Sequence, residues 1–113
     1  MGITPSAMAT QLEKALHDAR LKVEAIKQNG DYTARLKLKK MRVYDYLHRT
    51  EGIADYLHRC EKETSYEYGD RQMWHHMFIM HQTPTTHPAL RELQRLFRHF
   101  KEIIEKRNPV EFK

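Results

Sequence analysis

Pro88-Ala89-Leu90-Arg91-Glu92-Leu93-Gln94-Arg95-Leu96-Phe97-Arg98-His99-Phe100-Lys101-Glu102-Ile103-Ile104 carries the clearest periodic pattern in the chain. Leu90, Leu93, Leu96, Phe97, Phe100, Ile103 and Ile104 recur at spacings of three and four. That is one face of an α-helix, with the proline at its first turn, where a missing N–H costs nothing. The same period returns upstream. Thr4-Pro5 reads as an N-cap and first helical residue, Met8, Leu12, Ala15, Ala19, Val23 and Ile26 follow on one stripe, and Asn29-Gly30 stops the helix.

Between these two helices the pattern remains helical but is interrupted. Asp31 is suited to cap a segment with Leu36, Val43 and Leu47 on one face and Arg35, Lys39, Arg42 and Arg49 on another. Ile53, Leu57 and Cys60 then define an offset face, so a break or kink is expected near Gly52, with Thr50 placed to cap the helix that follows. A second break is expected over 64–70. Asp70 would then cap a helix made apolar on most sides by Met73, Trp74, Met77, Phe78, Ile79 and Met80, which should be the most buried element. Thr83-Pro84-Thr85-Thr86-His87-Pro88 is a loop, and 108–113 is a short tail.

Of the 113 residues, 40% are hydrophobic and 31% charged, with four Gly and four Pro, which suits one compact domain rich in helix formers. The expected fold is therefore all-α, a single domain over residues 1–113 built as a bundle of four or five helices. One cysteine, Cys60, rules out an internal disulfide framework and points to a reducing, intracellular compartment, the cytoplasm first. No apolar run approaches the length of a membrane span, the longest being Met77 to Met80. Met1-Gly2-Ile3-Thr4-Pro5-Ser6 fits the short N-myristoylation pattern.

The net charge of +5 is unevenly placed. Residues 31–50 hold six basic and two acidic side chains, and 51–70 hold two basic and six acidic ones. Arg35, Lys37, Lys39, Lys40 and Arg42 follow one another without an acid between Tyr32 and Tyr44, a pattern that suits phosphate contact, because clustered cations gain by releasing counterions. Tyr46 and Arg49 extend this face, and Arg91, Arg95 and Arg98 of the last helix offer a second contact diluted by Glu92 and Glu102. The expected partner is an anionic macromolecule, either RNA or DNA, or an acidic protein surface. The apolar helix faces add a protein partner or a second copy of the chain. The alternative is a small structural subunit or adaptor without nucleic-acid contact.

Lys40-Met41-Arg42-Val43-Tyr44-Asp45-Tyr46-Leu47, followed by a short turn and another helix, resembles part of the family of the fifteenth protein of the small ribosomal subunit. The likeness lies in the order of basic helix, Asp-Tyr-Leu, turn and helix. It covers under a third of the chain and implies an all-helical protein that contacts RNA. That family's His-Lys-Asp and Ser-Arg-Arg-Gly-Leu stretch has no counterpart ahead of Arg35.

Asp45-Tyr46-Leu47-His48-Arg49 returns as Asp55-Tyr56-Leu57-His58-Arg59. In each copy the Asp reaches the His and Arg three and four residues on, so each reads as a self-supporting helical turn. Ten residues of helix rotate the second copy by about 80°, which turns the two faces apart. Met73, His76, Met77 and Met80 share a face but lack metal-binding spacing and read as core filling. No phosphate loop, nucleophile elbow or dinucleotide motif is present, so no catalytic residue, metal site or cofactor is assigned.

Overall fold

The computed structural model describes residues 3–62, 66–83 and 87–107. The fold is all-α: α1 (Pro5–Asn29), α2 (Tyr32–Lys40), α3 (Val43–Lys62), α4 (Tyr66–Gln82) and α5 (Arg91–Arg107), with a 3₁₀ turn at Pro88–Leu90 leading into α5. Helices α1, α3, α4 and α5 form an antiparallel bundle. Each neighbouring pair is joined by contacts that fix its direction: Ser6 and Glu13 of α1 meet His58 of α3, and Arg20 meets Glu51. Tyr46 of α3 reaches Met80 of α4, Trp74 of α4 reaches Glu105 of α5, and Arg107 of α5 returns to the carbonyl of Ile3. The short α2 covers one end.

Local signals explain the two helix starts nearest the N-terminus. The Thr4 hydroxyl accepts the Ala7 N–H at 3.1 Å, and the Asp31 carboxylate accepts the Ala34 N–H at 2.8 Å, each satisfying a donor with no partner inside its helix. α1 ends at Gly30, whose N–H makes the last helical bond to the Ile26 carbonyl at 2.8 Å before its backbone turns extended, and a Cβ there would stand 2.5 Å from that oxygen. The core is a single cluster. α1 contributes Met8, Leu12, Leu16 and Val23, and α5 contributes Leu93, Phe97, Phe100 and Ile104, all inaccessible or nearly so.

Several expectations are corrected. α3 runs unbroken from Val43 to Lys62 through Gly52, and the break lies ten residues earlier, at Met41–Arg42, where Arg42 takes a φ of 53°. Ile53, Ala54 and Leu57 are all buried beyond the glycine, so packing carries the helix across a residue of poor propensity. Thr50 does not cap a helix. It is fully buried mid-helix, and its hydroxyl donates to the Tyr46 carbonyl at 2.9 Å. Leu38 takes the core position expected for Leu36. α4 already begins at Tyr66, so Asp70 is not its cap, and Phe78 and Ile79 are 36% and 39% exposed where burial was expected. Residues 63–65, Pro84 to Thr86, Met1-Gly2 and the 108–113 tail lie outside the described residues. No helix among those described is long and apolar enough to cross a membrane.

His87 is the buried polar residue at the entry to α5. Its Nδ1 accepts the Ala89 N–H at 3.1 Å, which requires that nitrogen to be unprotonated. Burial, and then the charge of Lys37, hold its pKa below the ordinary histidine value. The contribution of the neutral ring is therefore complete above that ordinary value and is lost as the pH falls through it. Unfolding midpoints in urea should drop between about pH 7 and about pH 5, and His87→Asn, which keeps an acceptor but does not titrate, should flatten part of that drop. Gly52 faces open space with a helical backbone, so Gly52→Ala should raise stability by about 0.5–1 kcal/mol in thermal denaturation.

Candidate anionic-partner interface

The basic run does not form one ridge. The α2–α3 corner at Met41–Arg42 folds it over the end of the bundle and divides it between two clefts. The first, about 290 Å³, is lined by Lys27, Tyr32, Arg35, Leu36, Leu38, Lys39 and Tyr44. Tyr32 and Tyr44 are 70% and 42% exposed, so both rings are accessible, and the Lys27 ammonium stands 6.0 Å from the centre of the Tyr44 ring. The second cleft, about 340 Å³, is lined by Lys40, Met41, Arg42, Asp45, Tyr46, Arg49 and Thr83.

The cations within these clefts are not equivalent. Arg35 donates to the Gly30 carbonyl at 2.6 Å, which ties α2 back onto the end of α1 and fixes its guanidinium. Arg42 pairs with Asp45 at 3.1 Å, both side chains being well exposed. Lys39, Lys40 and Arg49 make no ion pair among the described residues and keep their charge available. Lys37 lines neither cleft, and its charge is felt at His87 at the entry of α5.

Tyr46, expected on the binding face, is 3% exposed. Its hydroxyl donates to the Met80 carbonyl at 3.0 Å, its ring meets Phe97 edge-on at 6.1 Å, and burial pushes its phenol pKa up. It touches the second cleft from below as a core residue holding α3 to α4. Arg91, Arg95 and Arg98 are exposed on α5 but line neither cleft. Arg95 makes a two-pronged contact with Glu92 at 3.0 and 2.5 Å, and Arg98 meets Glu102 at 3.3 Å. The Arg95 contact, assisted by Lys22 of α1, holds the Glu92 carboxyl below its ordinary range despite some desolvation. Two of the three arginines therefore have their charge met within their own helix.

Lys27 is the cation that the sequence did not point to. It lies on the last turn of α1, and only the return of α2 and α3 over that end brings it beside Tyr44. Met73, Met77 and Met80 are core residues, while the His76 ring meets Tyr56 edge-on at 5.1 Å. Among the described residues no three His, Cys, Asp or Glu side chains are grouped to hold a metal ion. Cys60 is half-buried.

No family model, curated protein or solved structure matches this chain. The short likeness of Lys40–Leu47 to the ribosomal protein also loses one of its parts, because the turn expected after Leu47 is the uninterrupted middle of α3. The geometry of the site stands on its own residues. Tyr46→Phe should cost about 1 kcal/mol in denaturant unfolding by leaving the buried Met80 carbonyl without its donor. It should leave binding of any anionic probe unchanged.

Proposed function

We propose that this chain is a non-catalytic helical interaction protein that holds an anionic partner, RNA or DNA or an assembly containing it, on the α2 end of the bundle. One observation carries the reading: two neighbouring clefts are lined by Lys27, Arg35, Lys39, Lys40, Arg42 and Arg49, with Asp45 the one carboxylate in their lining and Glu24 meeting Lys27 at 3.8 Å from outside it. Tyr32 and Tyr44 beside the first cleft add exposed rings, which suit stacking on unpaired bases, while the cations suit the phosphates between them. Arg91, Arg95 and Arg98 take a lesser part in this reading, because Glu92 and Glu102 occupy two of them. The exposed Phe78 and Ile79 of α4 favour the alternative, an adaptor whose contacts are with protein alone.

Salt dependence separates the two. A labelled single-stranded RNA should bind with a log affinity that falls linearly with log salt. Lys39→Ala with Lys40→Ala should lower the magnitude of that slope by about 1.4, with the fold unchanged by circular dichroism, since neither lysine makes an ion pair among the described residues. Absence of binding to RNA and DNA at low salt would sink the nucleic-acid reading and leave the adaptor.

A further inference from the structure

The side of α3 turned away from the core carries Asp45, His48, Arg49, Gly52, Asp55 and Arg59, all exposed. At 100° per residue, all of them fall within about 60° of the direction of Gly52. Helix α1 covers one flank of this face through Arg20–Glu51 and Glu13–His58, and α4 covers the other where His76 meets Tyr56. The face between them is open. An 80° turn between the two copies of the repeat is narrower than this face, so parts of both copies share it.

The charges on this face are arranged symmetrically about Gly52. Seven residues before it stands Asp45 and seven after it Arg59; three before it stands Arg49 and three after it Asp55. Opposite charges at equal distances on either side of one point, and near one line along the helix as Asp45 and Arg59 are, complement a second copy that lies antiparallel across that point. Positions 45, 52 and 59 are also seven apart, the spacing at which one seam of a helix pair repeats. Arg49, Asp55 and Arg59 make no ion pair among the described residues, on a surface where Arg20, Lys27, Arg95, Arg98 and Lys101 all do. Asp45 meets only the exposed Arg42 among the described residues.

Gly52 completes the pattern. Its backbone is helical, its φ is not positive, and an added Cβ would meet nothing within 4 Å, so the chain's own fold gives no reason for a residue that weakens the helix by roughly 1 kcal/mol. A missing side chain at the centre of the face lets another helix backbone come close. Beside it a groove of about 540 Å³, lined by Ile53, Tyr56, His76, Ile79 and Met80, opens between α3 and α4. Ile79 there is one of the few large apolar side chains left in solvent.

We propose that a second copy of the chain docks antiparallel on α3, with the two-fold axis passing between the two Gly52 residues. Asp45 then faces Arg59 of the partner subunit near the middle of the contact, a pair made twice, while Asp55 on one margin faces His48 of the partner subunit and Arg49 on the other lies beside Tyr56 of the partner subunit. The two aspartate–arginine pairs lie about 10 Å along the helix from the axis, within reach of an arginine side chain at a shallow crossing angle. The proposal does not rest on the anionic-partner reading, although Arg49 borders both surfaces.

Sedimentation equilibrium on the full chain at low salt, from micromolar to submillimolar concentration, tests it. The wild-type chain should be a dimer. D45R and R59D each set like charges opposite one another and should weaken association roughly tenfold or more, and D45R/R59D together should restore it, since opposite charges again meet across the axis. Gly52→Leu should keep the helical circular dichroism of the wild type, yet be monomeric because the close approach is blocked. A wild-type chain that stays monomeric throughout, a double variant as dissociated as the singles, or a Gly52→Leu chain that dimerises normally would each overturn the proposal.

Discussion

The buried stripe of α1 faces two helices at once, and the bundle is arranged around that fact. Met8, Leu12, Leu16 and Val23 form a narrow band closed by Ala9, Ala15 and Ala19, whose small side chains let neighbouring helices pack near the lower end of the usual interaxial distance. Polar links run along both margins of the band, from Ser6, Glu13 and Arg20 to α3 and from the Ile3 carbonyl to Arg107 of α5. α3 and α5 both run antiparallel to α1, and α4, antiparallel to each of them, lies between them and parallel to α1. Its contacts are unequal: α4 packs closely on α5, whereas Tyr46 and Tyr56 bridge a looser seam to α3, and that seam is where the apolar groove opens.

Two of the helices were legible because their pattern is redundant. In α5 seven apolar residues agree on one face, and in α1 a Thr-Pro start and an Asn-Gly stop bracket six. The middle of the chain was misread for a physical reason. A glycine in a helix costs about 1 kcal/mol, and three buried side chains beyond it outweigh that several-fold, so Gly52 carries a local preference that tertiary packing overrides. The actual corner falls at Arg42, in a backbone region that arginine seldom occupies, with neither Gly, Asn nor Pro to announce it. Burial was equally hard to read for tyrosines. Tyr44 and Tyr46 are two residues apart in the same basic neighbourhood, and only the rotation of α3 decides that one is exposed and the other fully packed.

The corner also changes the meaning of the charge run. On one straight helix, Arg35 to Arg49 would present a single ridge extending beyond 20 Å. Folded at Met41–Arg42, the same residues gather around one end of the bundle and draw in Lys27 from α1. Charge that a linear reading spreads along a rod is concentrated at a pole. Arg95 and Arg98 of α5 differ for a local reason, because acids three and four residues away neutralise them inside one helix, while the α2 lysines have no such neighbours.

Helix α2 spans nine residues and buries only Leu38. A helix that short is marginal by itself, and one leucine together with the Arg35–Gly30 contact is slight anchorage beside the eight buried residues of α1. α2 is therefore the cooperative unit of lowest local stability among those described, able to open while the four-helix core stays closed. The densest positive charge of the molecule is mounted on that unit. An anion seated across α2 and α3 would hold it shut, so occupancy would register first as slowed amide exchange over Tyr32–Lys40, ahead of any change in the global unfolding of the bundle.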